Sequence, residues 1–352
     1  MKLSESIMAM AAIDAEHYDR NEKWAAKGNG SAAERYTLQT PVRLSVNIDN
    51  IGYAITTQAD LDLSASATWD QVVTDYRVAA TRAGKDFYVY ACQQVSDNPK
   101  FLISASSTFP AGYSAANSRK VSGFHCLCVA VGTIAGHTLT DYAQGDILPA
   151  SVWDILHRPV SEPEGMVYSE ELHKWIDIYL ASGTGASIVS VNGGTISKTR
   201  NWMDFVDDFS AVKKRLLTNP EFQSIAAGSN EETNISGSAD PVTTGGHSDT
   251  VGRRMVSNIG CEDCCGALNQ WLSDQSWRAD ALPDTGDPTW GWYDLPGAKG
   301  SLYRQGTYGD VKFAAGGHWA VGMDCGSRCR RASDYRWITY SFLSARALAE
   351  QK

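Results

Sequence analysis

Two groups of cysteines hold the densest chemistry in the chain: Cys261, Cys264 and Cys265 in a CxxCC pattern, and Cys325 and Cys329 in a CxxxC pattern with Arg328 and Arg330 flanking the second thiol. Two thiolates at the latter spacing suit a soft ion such as Cu(I). Cys92, Cys126 and Cys128 complete the set of eight. Buried free thiols, one or two disulfides and a metal site are all open readings, and free thiols suit best a chain with no visible export signal. Seven histidines (His17, His125, His137, His157, His173, His247, His318) are scattered without HExxH or HxH spacing, so a zinc hydrolase has no ligand set. Glu262, Asp263 and Asp324 are the candidate Ca²⁺ carboxylates, but they make no compact set with ligand spacing. GxSxG and GxxxxGK[ST] are absent, and SGTGAS and VNGG read as turns. The chemistry of the chain therefore reads as recognition, with no enzymatic centre and no cofactor.

Composition agrees with that. Trp (11) and Tyr (15) outnumber Phe (9), and both serve interfaces as often as cores. With 31 Lys+Arg against 40 Asp+Glu the net charge is −9, the wrong sign for tracking phosphates, so nucleic acid is not an expected partner. No run approaches the roughly 18 apolar residues of a membrane span, and MKLSESIMAMAAIDAEHYDR turns acidic too early for a signal-peptide core. A surface location is expected to come through assembly or lysis rather than export.

The elements that must position a recognition surface follow from periodicity, and 352 residues suggest two or three domains. Residues 1–27 read as a helical arm ending at Gly28. Val42, Leu44, Val46 and Ile48 alternate with polar residues, Asp49-Asn50 offers a tight turn, and Ile51, Tyr53 and Ile55 alternate on the return, which predicts a hairpin. A helix is expected over 69–83, and strands over 87–92, 101–105 and 121–131. GDILPASVWDILHRPVSEPEG (145–165) marks a connector and the domain boundary. Beyond it come a strand within 166–181 and an amphipathic helix over 202–217. A second helix opens at Asn219-Pro220-Glu221 with Asn219 as N-cap, and a long surface loop follows over 228–252. Glu262 and Asp263 before an apolar stripe of Cys264, Leu268, Trp271 and Leu272 predict a further helix start.

The ordered series SNIGCEDCCGALNQWL, GDV with AAGGHW, CGSRCR, RW and SARA resembles the C-type lectin fold shared by formylglycine-generating enzymes and the variable proteins of diversity-generating retroelements. Within that group the likeness is to phage major tropism determinants. It spans roughly residues 165–352, and NSRKVSGFHCLC and GDILPASVWD extend it less specifically into the N-terminal half.

That resemblance implies an α+β fold: a mostly β N-terminal display region followed by a C-type-lectin-like domain. The divisions are a helical arm at 1–30, a β-rich assembly domain at 31–160, and a receptor-binding domain at 161–352 with a variable region near 310–346. In such proteins a retroelement rewrites codons whose side chains point outward from a constant frame. The frame would be Gly316, Gly317, Trp319, Gly322, Cys325, Gly326, Ser327, Arg328, Cys329, Arg330, Arg336, Trp337, Ala345 and Arg346. The receptor-binding positions would be His318, Ala320, Val321, Met323, Asp324, Arg331, Ser333, Asp334, Tyr335, Ile338, Tyr340 and Phe342. Residue chemistry supports the division, since the first set supplies tight turns and multivalent Arg donors. The second is mixed, with Tyr335, Ile338, Tyr340 and Phe342 as anchors. The competing reading makes Ile338, Tyr340 and Phe342 one face of a half-buried strand. The implied protein is a homotrimer on a virion tail fibre that meets a host cell-surface protein or glycan and other tail proteins. Two alternatives stand beside it: a variable ligand-binding protein on a cell surface, and a formylglycine-generating-enzyme-like copper oxidase using Cys325 and Cys329.

Overall fold

The computed structural model describes residues 23–71, 73–95, 98–279, 291–294, 301–304 and 308–352. Most of the expected helical arm and most of the stretch PDTGDPTWGWYDLPGAKG lie outside these residues. The chain divides into two compact, mostly β units. One is Met1–Ala130 with Tyr142–Arg158 and Lys352; the other is Val131–Asp141 with Pro159–Gln351.

In the first unit β1 (Ala25–Ala26), β2 (Thr37–Gln39) and β5 (Asp60–Asp62) form one small sheet in the order β1-β2-β5. The hairpin β3 (Leu44–Ile48) and β4 (Ile51–Ile55) closes with Ile48 opposite Ile51. Asp49 and Asn50 both have positive φ (52° and 60°), the primed turn that suits the right-handed twist of paired strands. Leu44, Val46 and Ile48 are buried, as alternation requires, whereas Val42 precedes the strand and is exposed.

The larger sheet runs β7-β6-β8-β9, from β6 (Asp86–Cys92), β7 (Lys100–Ser104), β8 (Ser118–His125) and β9 (Trp153–Asp154). Phe87, Val89, Ala91, Ile103, Val121 and Phe124 from it pack with Leu38, Leu44, Val46 and Trp69 into one core. The helix expected over 69–83 shrinks to Ala79–Arg82. Trp69 and Tyr76 instead pack on Phe87, at ring separations of 5.1 and 5.0 Å, and the chain between them turns under a Thr74 N–H to Gln71 Oε1 bond of 3.1 Å. The segment read as a connector supplies β9.

The second unit opens with the hairpin β10 (Met166–Ser169) and β11 (Lys174–Asp177). Near the end of the chain β21 (Ala347–Glu350) returns between β11 and β14 (Arg215–Leu216). The short pair β12 (Ala181–Ser182) and β13 (Val189–Ser190) follows the hairpin.

Helix α1 (Trp202–Ala211) starts in a capping box, Asp204 N–H to Asn201 Oδ1 at 3.0 Å and Asn201 N–H to Asp204 Oδ2 at 3.1 Å, and buries Phe205 and Phe209. It stops short of the expected 217 because Arg215 and Leu216 pair into the sheet. Helix α2 (Asn219–Ile225) is capped by Thr218, one residue before the expected Asn219, because the Glu221 carboxylate can return to the Thr218 N–H at 2.7 Å.

The six-stranded sheet is ordered β16-β17-β19-β18-β15-β20, from β15 (Asn269–Ala279), β16 (Gly291–Asp294), β17 (Ser301–Arg304), β18 (Tyr308–Gly316), β19 (Gly326–Asp334) and β20 (Leu343–Ala345). The helix expected after Glu262 does not form. Cys264–Leu268 is irregular, and Asn269 begins β15, pairing with β18 and β20. Its apolar residues are buried on all sides, so their helical spacing carries no information. The 228–252 segment is not simply a surface loop either, since Asn230, Asn234 and Asp249 are buried and hydrogen-bonded within it, and the buried Thr244 accepts from the Gly194 N–H outside it at 3.0 Å.

Candidate functional site

Two loops leave neighbouring strands of the large sheet, 317–325 between β18 and β19 and 335–342 between β19 and β20. The turn into the first is made by Gly316 and Gly317, both at positive φ. A Cβ at Gly316 would stand 2.3 Å from the Cys264 carbonyl oxygen, and one at Gly317 would stand 2.9 Å from Cys325 Cα, so neither position admits a side chain. The second loop is held by N–H bonds from Ile338 to Tyr335 O (3.1 Å), Leu343 to Tyr340 O (3.1 Å) and Trp202 to Arg336 O (3.0 Å).

Arg346, the residue after β20, is fully buried. Its guanidinium donates to Asp177 O (2.7 Å), Gln270 Oε1 (3.1 Å), and the carbonyls of Ile178 and Glu262. Buried carbonyls without donors are costly, and one planar fork satisfies four acceptors from three segments. Arg330 is buried as well and donates to Asn219 Oδ1 (2.5 Å), Ser327 O (3.0 Å) and Cys329 O (2.6 Å); burial lowers it to about 10.

Within the two loops the rings stack. His318 lies on Phe342 at 4.7 Å and 18°, Phe342 on Tyr340 at 4.8 Å and 21°, and Trp319 meets His318 edge-on at 5.7 Å. The His318–Phe342 contact ties the first loop to the second. Tyr335 and Trp337 form a separate stack at 5.1 Å and 6°. Burial and the nearby Arg331 charge lower His318 to about 4, so its ring is neutral at physiological pH. Met323 is 80% exposed, Trp337 64% and Tyr340 37%, and Ala320 is also exposed.

Most of the expected contact residues therefore reach the surface, but not all. His318, Val321, Asp324, Tyr335, Ile338 and Phe342 are half-buried. Ile338 and Phe342 also pack against the core around Phe205, Phe209 and Trp271, although 335–342 is a loop and not a strand face. Arg331, Ser333 and Asp334 are buried on β19, contrary to expectation. Arg331 pairs with Asp334 through Nε and through a second bond of 3.2 Å, and Ser333 Oγ donates to Asp334 Oδ1 at 3.2 Å. A mixed Arg, Ser and Asp text looks like a contact surface, but opposite charges three residues apart satisfy each other inside. Arg331 acts on the face indirectly, its guanidinium carbon lying 4.9 Å from the Phe342 ring and 5.7 Å from the Tyr340 ring.

Trp337 and Arg328, which the resemblance assigns to the frame, stand exposed. For Trp337 the available signal was the i, i+2 spacing from Tyr335, which puts both rings on one side of an extended chain.

The candidate ion sites do not fit. Glu262 accepts two bonds from Arg254 (2.7 and 2.8 Å), and Asp263 accepts from Gly245 N–H (3.0 Å) and engages His247 Nδ1 (2.9 Å). Burial acts to lower His247, but the hydrogen bond and charge of Asp263 outweigh it and hold the ring above its ordinary value. Both Glu262 oxygens and Asp263 Oδ2 are thus committed, and Asp263 Oδ1, buried without a hydrogen-bond partner, is a single oxygen where Ca²⁺ needs about six to eight; no metal-holding group of three such residues occurs among the described residues. Cys325 and Cys329 are buried, and burial pushes both thiols up, Cys329 to about 12. The Cys325 thiol also faces the His318 carbonyl at 3.5 Å. Protonated, enclosed thiols are poor copper ligands. All eight cysteines are buried, and none is in a disulfide.

Known proteins share this architecture. Residues 48–154 match the family described as the Mtd second domain. The chain is 26% identical over 307 residues to the tail fiber receptor-binding protein of Bordetella phage BPP-1, covering 80% of this chain and 74% of that one. Among solved structures, it is similar to the I1 variant of the Major Tropism Determinant (TM-score 0.68, 21% identity, 94% of this chain and 86% of that one). It is also similar to the U1 variant (TM-score 0.66, 22% identity, 90% and 81%). The chain is thus tropism-determinant-like, with the mostly β, C-type-lectin-like architecture of those structures.

Proposed function

We propose that this chain is a phage tail receptor-binding protein that recognises a host cell-surface receptor through the 317–325 and 335–342 loops. The observation that carries the reading is the exposed set of Met323, Trp337 and Tyr340, standing on loops whose backbone is held by the Gly316-Gly317 turn and by N–H bonds from Trp319 to Ala267 O (3.0 Å), Glu232 to Cys325 O (2.9 Å) and Trp202 to Arg336 O (3.0 Å). Large rigid side chains such as Trp337 and Tyr340 on a held backbone give much contact for little ordering entropy, and the flexible Met323 adapts beside them. The described function of the Bordetella phage relative supports the same role. No bond is made or broken in it.

In this proposal the contact set is His318, Ala320, Val321, Met323, Asp324, Tyr335, Trp337, Tyr340 and the exposed edge of Phe342. The protein assembles as a homotrimer on the virion, where several copies raise a weak single-site affinity by effective concentration. A retroelement diversifies the loop positions and leaves the buried frame constant. Antibodies against the chain should label the virion tail and block adsorption, and the purified chain should compete with virions for host cells. A triple variant Met323→Ala, Trp337→Ala, Tyr340→Ala with unchanged melting should no longer compete. Undiminished competition by that variant would move receptor binding elsewhere. Diversification predicts a near-copy of the 3′ coding sequence differing at adenines, beside a reverse transcriptase gene.

A further inference from the structure

We propose that the first unit carries a second binding site, a saccharide pocket built around Asp70, independent of the face in the second unit. A cavity of about 400 Å³ opens between the segment after Trp69 and the loop that follows β7, lined by Asp70, Gln71, Ser104, Ser106, Phe109 and Tyr113 among others. That volume admits a sugar ring or two.

Its polar wall is already arranged. Asp70 Oδ2 accepts from Ser104 Oγ at 2.7 Å and from the Ala111 N–H at 2.8 Å, and Ser104 Oγ in turn accepts from the Ser106 N–H at 3.0 Å. Asp70 Oδ1, by contrast, is buried with no hydrogen-bond partner. A carboxylate oxygen removed from water and given no donor is an expensive defect, which a small rotation of the half-buried Asp70 side chain toward the cavity would relieve by presenting Oδ1 to a donor from outside the chain.

The rest of the lining selects the class of donor. Phe109 is 44% exposed at the cavity, and Tyr113 is held by a bond from Gln94 Nε2 to its hydroxyl (3.4 Å) and by its own N–H to Pro110 O (3.1 Å). Ser106 Oγ shares a 3.1 Å bond with Thr108 Oγ1 in which either atom can donate, so it can adapt to a donor or an acceptor. One carboxylate, adaptable hydroxyls, an amide side chain and exposed aromatic surface match a neutral polyol ring, whose hydroxyls donate to the carboxylate while its C–H face lies on an aromatic. A cationic side chain, donor only, would use the hydroxyls as acceptors and leave their donor capacity idle.

The test uses the full chain and the methyl glycosides of glucose, galactose, mannose and N-acetylglucosamine in saturation-transfer NMR. At least one should bind at millimolar concentration. Asp70→Asn should weaken it at least tenfold, and Phe109→Ala, an exposed position that does not hold the fold, about fivefold. The triple variant of the other face should bind the glycoside unchanged, which separates this site from the receptor face. Failure of all four glycosides, or equal binding by both pocket variants, overturns the proposal. Displacement of the glycoside by equimolar butylammonium would overturn it too, assigning the cavity to a cationic side chain.

Discussion

Arg331→Ala separates a contact residue from a supporting one. On the surface it would cost stability within about 0.5 kcal/mol. Inside, it strands Asp334, whose side chain is 2% exposed and whose carboxylate keeps only the Ser333 hydroxyl among the bonds described here. Removing one partner of a buried ion pair costs about 3–5 kcal/mol, and loss of the guanidinium beside Phe342 and Tyr340 adds about 0.5–1 kcal/mol. For a unit of this size each kcal/mol moves the midpoint by about 2–4 °C, so a loss of about 3.5–6 kcal/mol should lower the melting point by about 7–24 °C. Replacing both partners, as Arg331→Met with Asp334→Leu, removes the stranded charge and should recover most of that loss. Differential scanning calorimetry of the full chain, following the transition of the second unit, reads both variants. A single variant that melts within 2 °C of the parent while losing host-cell binding would refute the inside placement and return Arg331 to the contact surface.

Trp337→Ala should weaken host-cell binding about thirtyfold, the equivalent of about 2 kcal/mol for a central aromatic anchor, with little change in melting; an equilibrium binding assay on host cells measures it. His318 sits near 4 when folded and near 6.5 when unfolded, so the unfolded chain takes up the proton first as pH falls. The stabilisation from its neutral ring is complete above about pH 6.5 and is lost towards about pH 4, at most about 3 kcal/mol. Denaturant melts of parent and His318→Phe across that window should show the pH slope reduced in the variant, and parallel slopes would contradict the assignment. With all eight thiols buried, fewer than one per chain should react with a thiol reagent at pH 8 before unfolding and eight after it. Prompt reaction of Cys325 or Cys329 in the folded protein would reopen the copper reading.

Local text determined a good deal of this protein. The alternation of 44–48 and 51–55 around Asp49-Asn50 is a hairpin in any context, because the turn residues tolerate positive φ and the pleat has a period of two. The capping residues of α1 and α2 act within one turn and are legible for the same reason. The ordered motifs near the C-terminus marked the frame, and Arg346 does what a buried multivalent donor should.

What sequence left open depends on contacts between distant segments. Cys264–Leu272 has a helical stripe, yet pairing with β18 and β20 makes strand from Asn269 onward, since a segment buried on every side shows no period of its own. Exposure along 331–342 is likewise a tertiary quantity. Arg331 and Asp334 are polar and inside because each satisfies the other, whereas Trp337 is apolar and outside because a loop lifts it from the core. Composition named the residues that could meet a partner, and only the folded sheet decides which of them face water.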